Sequence, residues 1–490
     1  VNPRVVNRRV VVVGGGIAGI AASMAIAETM PDIRVTLCEA RRTSGGRAGS
    51  FVDPTTNETV DYCQHVAMGC CTNLLDLLHR FDMSDEFTRY QSLTFYHPEY
   101  GMSSFAPNLR MPAPLHLHKA LAGLRYLRLQ ERTRLAWAIT KLMRQRERTL
   151  EKVTAATWLD RHRQSSRLRV RFWDVVLVSA LGDVPERVSM AAARKVIVDG
   201  FAAAHGASDV WVPNRPLSQI FGNSMLDHLA RHGVEVKTGC LVRSLRYDER
   251  DEEVELICGD DGTLRSDHVV LATAWRSASK LIETIEPGLN PSARSWQDAT
   301  VSFLSSVKSS PITGLHLWFD REITPLPHVA MVGTVSHWLF KQPLRQSTSD
   351  RAGDQAGVYH QVVISGPHRF SESSKDALLS AVCDELAKAF PIPFSGPNPA
   401  KLLHHRIVTD PNAVYSVTPQ FQAHRPATTT TLAWLSLAGD YVDTGWPATM
   451  EGAAISGRLA AEAVGDRFGR RVHCVTPPLS PGRLARWLMT

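Results

Sequence analysis

Four β-branched residues, Val10 to Val13, run directly into Gly14-Gly15-Gly16-Ile17-Ala18-Gly19 and then into an Ala/Ile/Met-rich stretch reaching about Met30. Strand, glycine turn and helix in that order leave few folds open, because they start a βαβ unit. The spacing Gly14-x-Gly16-x-x-Gly19 is that of a dinucleotide-binding turn. The first glycine permits the tight turn, the second lets the backbone approach a pyrophosphate, and the third allows close helix–strand packing. Ile17 and Ala18 open the helix, whose unpaired N–H groups and positive dipole end suit a phosphate. A second apolar strand, Arg34 to Cys38, ends in Glu39, a carboxylate able to accept both ribose hydroxyls of an adenosine. The expected class is α/β with a Rossmann-like nucleotide-binding domain, and this turn alone suits NAD and FAD equally.

Two further segments bear on that choice. After Ala40-Arg41 comes Gly45-Gly46-Arg47, a loop whose glycines let backbone approach a ligand and whose cation neutralises a diphosphate. A plain NAD-binding unit does not need it. Near the other end, Leu435 to Ala438 reads as a strand ending in Gly439-Asp440. A turn follows, and a helix is expected from Pro447 to about Val464, carrying Gly452 and Gly457 for close packing.

Between these ends, Leu74, Leu75, Leu77 and Leu78 mark an amphipathic helix after the Gln64-His65 pair. Val234 to Lys237, Leu241 to Leu245 and His268 to Ala274 read as strands around an acidic hairpin, Asp248 to Asp261. Leu315 to Arg321 alternates like a strand, with His337 to Phe340 and Tyr359 to Ser365 as partners.

The 490 residues carry a net charge of +7, and its placement decides what it means. It is concentrated in two expected helices at roughly 116–129 and 132–147. There Lys119, Arg125, Arg128, Arg132, Arg134, Lys141, Arg144, Arg146 and Arg148 face only Glu131 and Glu147. Leucines recur at helical spacing among them, so the pair is either a basic surface for an anionic bilayer or a solvated lobe with its leucines in the core. No nucleic-acid-binding module accompanies the charge, and nucleic acid is not an expected partner. The eight cysteines are scattered without a CxxC pair, which suits reduced cytosolic thiols and no metal site. A first residue of Val fits a GTG start read literally, as in bacteria. The tail from Arg467 reads as a loop or a membrane-facing strap.

Glu39-Ala40-Arg41 with Gly45-Gly46-Arg47-Ala48, and Gly439-Asp440 before the last helix, resemble the FAD-dependent amine oxidase and phytoene desaturase superfamily. Within it, Asp443-Thr444-Gly445-Trp446-Pro447-Ala448-Thr449-Met450-Glu451-Gly452-Ala453, Gln64-His65 and Leu317-Trp318-Phe319-Asp320-Arg321 resemble the hydroxysqualene dehydroxylases, also called squalene-associated FAD-dependent desaturases. That family usually has Gly where this chain has Cys63.

The resemblance implies a discontinuous FAD-binding domain, 1–90, 205–300 and 426–466. An interleaved α+β substrate domain, 91–204 and 301–425, would include the basic helical lobe, and a tail would follow at 467–490. It implies non-covalent FAD held by Gly14, Gly16, Ile17, Ala18, Gly19, Glu39, Ala40, Arg41, Gly45, Gly46, Arg47, Val242, Gly439, Asp440, Met450, Glu451 and Ala453. The implied reaction is hydride transfer from reduced flavin to an allylic carbon of hydroxysqualene, with NAD(P)H or another donor reducing the flavin. Asp443 and His65 are the expected proton donors; the bland alternatives are a turn residue and a structural histidine. Trp318, Phe319 and Trp446 line the isoprenoid channel or simply pack the core. Expected partners are the isoprenoid lipid, a membrane surface on its cytoplasmic side and squalene-synthase-type enzymes handing over substrate.

Three rivals stand beside this reading. A carotenoid-type desaturase would run the flavin in the opposite direction. Amine oxidation is disfavoured because residues 312–321 hold no Lys and the closing segment holds no Cys. A flavin-binding scaffold without turnover would not need so aromatic a region as 314–340.

Overall fold

The computed structural model describes residues 8–259, 262–285, 290–341, 357–368, 370 and 374–489. Val1 and Asp261, the end of the expected acidic hairpin, lie outside them.

Five strands form a parallel sheet in the order Glu235–Thr238, Arg34–Glu39, Arg9–Val13, His268–Leu271, Leu435–Leu437. Their sequences are apolar because both faces are covered, as a parallel sheet requires. Val10 to Val13 are at most 4% exposed. Helix Ile17–Thr29 covers one face, and the closing helix Met450–Arg467 packs on it so tightly that a Cβ on Gly457 would lie 2.1 Å from the Ala18 carbonyl oxygen. The first and last helices of the domain therefore meet at the glycine turn, although the sheet draws its strands from three distant stretches. Val242–Asp248, Glu253–Cys258 and Gly262–Ser266 form an antiparallel three-stranded sheet beside it, one strand more than a hairpin.

A second, seven-stranded sheet runs Leu402–Tyr415, Ser309–Phe319, Val358–Ser365, Trp338–Lys341, His328–Met331, Leu93–His97, Gly101–Phe105. Side chains alternate across it. Leu315, Leu317 and Phe319 join the core that includes Leu378, Val382 and Leu386 of helix Lys375–Ala389. His316 and Trp318 point to the other face, where Trp318 joins Val60, Tyr359 and Phe51.

The basic region folds as helices His118–Gly123 and Leu129–Met143, shorter than expected. The break falls at Arg128, which is extended and caps the second helix; its N–H donates to the Glu131 carboxylate at 2.8 Å. Leu117, Leu121, Leu124, Leu135, Ile139, Leu142 and Met143 are all buried, so the leucine stripe belongs to the protein core. The apolar side chains this lobe exposes are others, among them Leu129 at 74% and Trp137 at 49%. Two π-helical stretches, Arg169–Trp173 and Lys195–Ala202, complete the lobe. The tail ends in a helix, Arg483–Met489, that contacts Leu129–Met143. Among the described residues no helix is long and apolar enough to cross a membrane.

Candidate active site

The glycine turn closes as its spacing predicts. Gly14 adopts φ +110°, and a Cβ there would lie 2.7 Å from the Ala272 carbonyl oxygen; one on Gly19 would lie 1.9 Å from that of Gly14. Neither position admits a side chain. Ile17 and Ala18 are buried at the start of the helix. Gly45 and Gly46 take φ +102° and +63°, and the Gly45 N–H donates to the Gly15 carbonyl at 2.9 Å, which lays the second glycine loop against the first.

Glu39 is 9% exposed and accepts from the N–H groups of Gly15 at 2.7 Å and Arg41 at 2.8 Å, one on each carboxylate oxygen. Each oxygen keeps acceptor capacity for a ribose hydroxyl. The N–H groups of Gly239 and Cys240 donate to the carbonyls of Arg41 and Glu39, so the chain passes this edge just before buried Val242, while Ala40 is exposed.

The two ends of the chain meet at Arg47 and Asp440. Their side chains form an ion pair at 2.5 Å, with Asp440 5% exposed. Gly439, at φ +135°, donates its N–H to Ser456 on the closing helix at 2.8 Å. The loop after it is fastened by a residue that sequence reasoning missed. The buried Arg425 guanidinium donates to the carbonyls of Asp440 at 2.7 Å, Tyr441 at 3.3 Å, Val442 at 2.5 Å and Trp446 at 2.5 Å. Tyr415 adds a hydroxyl to the Asp440 carbonyl at 2.6 Å.

The cradle between these loops fits a dinucleotide. Thr273 Oγ1 and Trp275 Nε1 are buried there without hydrogen-bond partners. The Thr273 methyl lies 3.3 Å from the Cβ position of Gly14, its carbonyl 3.3 Å from that of Gly439, and Trp275 lies under the Arg47 guanidinium at 5.5 Å. Orphaned donors are uncommon in protein interiors and point to a missing acceptor. Glycine loops, a carboxylate at one end and a guanidinium at the other complete the donor set for adenosine and diphosphate. Gly14, Gly19, Glu39, Gly46, Arg47 and Asp440 are the residues that would hold it.

The closing helix starts at Met450, three residues later than expected from Pro447, because Thr449 caps it by accepting the Gly452 N–H at 3.1 Å. Met450 and Ala453 lie half-buried at its first turn. Glu451 is 1% exposed, and its carboxylate accepts the N–H groups of Asn73 at 3.0 Å and Leu74 at 2.8 Å, capping helix Thr72–Arg80. That structural role was not suggested by the sequence.

The chemical side chains occupy different settings. His65 is half-buried; burial, followed by the charge of Arg47, lowers its pKa. Its Nδ1 faces the Cys63 carbonyl at 2.9 Å, so the neutral ring carries its proton there and Nε2 is an acceptor. Asp443 is exposed and forms a turn, accepting the Gly445 N–H at 3.3 Å. Half-buried Trp446 has the Lys195 ammonium 5.0 Å above its ring. Trp318 is 1% exposed and donates Nε1–H to Glu58 at 2.8 Å. Phe319, also 1% exposed, faces the opposite side of its strand, so the two cannot line one channel.

A narrow cavity of ≈ 20 Å³ lies between the basic lobe and the second sheet. All its walls are apolar: Phe95 and Phe105 from the sheet, Leu117, Leu121, Leu124 and Ile139 from the basic helices, and Phe172, Val176, Ile197 and Phe201 from the π-helical region. Phe172 sits on one π-helical stretch, Ile197 and Phe201 on the other.

Comparison with known proteins gives the family. The chain is 26% identical over 463 residues to a hydroxysqualene dehydroxylase of Sinorhizobium fredii, covering 93% of this chain and 98% of that protein. It is 24% identical over 469 residues to a 15-cis-phytoene desaturase of Synechococcus elongatus, covering 93% and 95%. Cyclohexylamine oxidase from Brevibacterium oxydans superposes with a TM-score of 0.64 at 18% identity, covering 95% of this chain and 100% of that one, which shows a shared fold. The family described as flavin containing amine oxidoreductase matches residues 17–465. The chain belongs to that family and is a flavin-dependent oxidoreductase.

Proposed function

We propose that this oxidoreductase acts on a long isoprenoid and removes the hydroxyl group of hydroxysqualene to give squalene. The observation that carries the reading is the similarity, along nearly the whole of both chains, to a hydroxysqualene dehydroxylase, and the aliphatic and aromatic walls between the basic helices and the second sheet suit such a substrate. A hydrocarbon chain is recognised by apolar walls, whereas an amine substrate calls for polar groups among them.

When bound, the flavin supplies a hydride to the allylic carbon and is reduced beforehand by NAD(P)H or another donor. This chain's own residues hold the cofactor, exclude water and handle the proton that leaves with the hydroxyl as water. His65, neutral with its proton committed to Cys63, is poorly placed to donate it. Asp443, exposed on the loop leading into the closing helix, is the remaining candidate to relay that proton from solvent. Exposed Leu129 and Trp137 among the cations of helix Leu129–Met143 suit contact with an anionic bilayer, from which so apolar a substrate must come.

The test is product analysis under anaerobic conditions. Holoenzyme with excess chemical reductant is incubated with hydroxysqualene, and extracts are examined for squalene by mass spectrometry. Squalene in proportion to enzyme and time supports the reading, while unchanged hydroxysqualene rejects it. The phytoene desaturase relative favours a second reading, desaturation of a polyene precursor, in which the oxidised protein consumes phytoene.

A further inference from the structure

The basic helix Leu129–Met143 has two faces with different chemistry. Leu135, Ile139, Leu142 and Met143 are buried on the inner one. Arg134, Trp137 and Lys141, followed by Arg144 at its end, recur at steps of three and four, the spacing of one outer face, and all four are exposed. An exposed indole is uncommon in this protein. Of its eleven tryptophans, only Trp137, at 49%, and Trp487, at 67%, are exposed. Far apart in sequence, these two meet on one patch.

Trp487 belongs to the last helix, Arg483–Met489, which contacts Leu129–Met143. Ala485 and Leu488 are buried in the core shared with the basic lobe, while Arg483, Arg486 and Trp487 are exposed. The chain before this helix is fastened: the Thr476 N–H donates to the Asn73 side chain at 2.8 Å, and the Gly482 N–H to the Ala203 carbonyl at 2.9 Å. Trp487 is therefore held in place and not carried on a loose end. The Arg144 guanidinium lies 5.9 Å from its ring, and the Lys141 ammonium 5.7 Å from that of Trp137. The patch thus runs indole, ammonium, guanidinium, indole. Carboxylates do little to offset its charge. Glu131, the one acid of Leu129–Met143, is 7% exposed and engaged by the Arg128 N–H and by Arg167. The last helix has no acid, and Asp160, two residues before the His162 ring beside Trp137, is paired with Arg169.

We propose that helices Leu129–Met143 and Arg483–Met489 together form the surface by which the protein lies on an anionic bilayer. Trp137 and Trp487 enter the headgroup boundary, where an indole has both apolar and hydrogen-bonding surroundings. Lys141, Arg144, Arg483 and Arg486 meet the lipid phosphates. The inference builds on the bilayer contact included in the proposed function and adds the end of the chain as its second half. A nucleic acid would meet the same cations. Leu129, 74% exposed at the start of the basic helix, favours lipid, because aliphatic surface gains nothing from a phosphodiester backbone. With its inner face committed to the core, the basic helix lies flat along the surface and does not cross it.

The experiment is co-sedimentation of holoenzyme with vesicles in the absence of substrate, so that docking and turnover can fail separately. The vesicles are phosphatidylcholine alone, or phosphatidylcholine with about one-third phosphatidylglycerol. Wild type should bind the anionic vesicles at least about tenfold more tightly than the neutral ones, and less tightly at high salt. Trp137→Ala and Trp487→Ala should each weaken that binding by about tenfold, as should Lys141→Gln combined with Arg144→Gln, with flavin content and melting temperature unchanged. Arg250→Gln combined with Lys280→Gln removes the same charge elsewhere and should leave binding as it was. Where a tryptophan variant melts lower, quenching of wild-type indole fluorescence by brominated lipid in the anionic vesicles decides, and no quenching overturns the proposal. Wild-type binding that ignores lipid charge, or folded tryptophan variants that bind like wild type, also overturns it. Equal weakening by the two charge-removing pairs does so too, by showing an effect of net charge alone. Tighter binding to duplex DNA than to the anionic vesicles would give the patch to nucleic acid instead. Each of these outcomes leaves the dehydroxylation reading standing.

Discussion

At the scale of single residues, the cradle depends on two arginines of different kinds. Arg47 and Asp440 each stood out in the sequence beside glycines, as separate candidates for holding the cofactor; that they pair with each other is seen only in the fold. Arg425 carries no such mark. Its role arises only when the chain folds back and presents four carbonyls to one guanidinium, a geometry no local pattern encodes. Arg425→Met should lower unfolding stability by about 3 kcal/mol, because buried carbonyls lose charge-assisted partners. Denaturant titration checks this, and a loss below about 0.5 kcal/mol would show the loop to be held by other contacts. Arg47→Ala and Asp440→Ala should each yield folded protein with flavin absorbance reduced severalfold relative to protein absorbance after gel filtration. Retention of full flavin content by both variants would move the diphosphate site elsewhere. Glu451 carries a role that the closing phrase did not mark: its carboxylate caps helix Thr72–Arg80.

At the scale of elements, strands and helices with one strong periodic signal were read well. The buried strand Arg9–Val13 and the strand Val358–Ser365 lie where their apolar runs put them. Boundaries set by capping were less visible: Pro447 suggested a helix start, but Thr449 provides the side-chain oxygen and moves it to Met450. The π-helical stretches had no sequence signature, since their i→i+5 bonds come from tertiary packing. The tightest element contact is that of the first and last helices at Gly457. Gly457→Ala should force them apart and lower stability by about 1–3 kcal/mol, with weaker flavin retention because Ala18 opens the phosphate-binding helix. Differential scanning calorimetry should record a lower melting temperature. An unchanged value would mean that the helices separate at no cost.

At the scale of the whole molecule, the chain returns to one nucleotide-binding sheet after excursions that build a second sheet and a basic lobe. The direction of the basic helices was not legible, because a leucine stripe serves a bilayer and a core equally well; burial of Leu135, Ile139 and Leu142 assigns it to the core. That large interior holds histidines whose burial depresses their pKa, to about 4 for His116, His316 and His360 and about 3 for His268. In the unfolded chain each titrates near 6.5. Their contribution to stability is therefore fully present above about pH 6.5 and is lost as pH falls toward the folded values, because the unfolded chain binds the protons. Each histidine contributes a slope of up to roughly 1.4 kcal/mol per pH unit in that window. Urea midpoints should fall steeply between pH 6.5 and 4, and a flat profile would mean that these rings reach solvent in the native state.

The direction of the flavin chemistry is decided by one anaerobic stopped-flow measurement of the holoenzyme. Pre-reduced protein mixed with hydroxysqualene should regain the absorbance of oxidised flavin as squalene forms, while oxidised protein mixed with phytoene should show no change. Bleaching of the oxidised flavin by phytoene, with reduced flavin inert toward hydroxysqualene, would contradict dehydroxylation and establish desaturation instead.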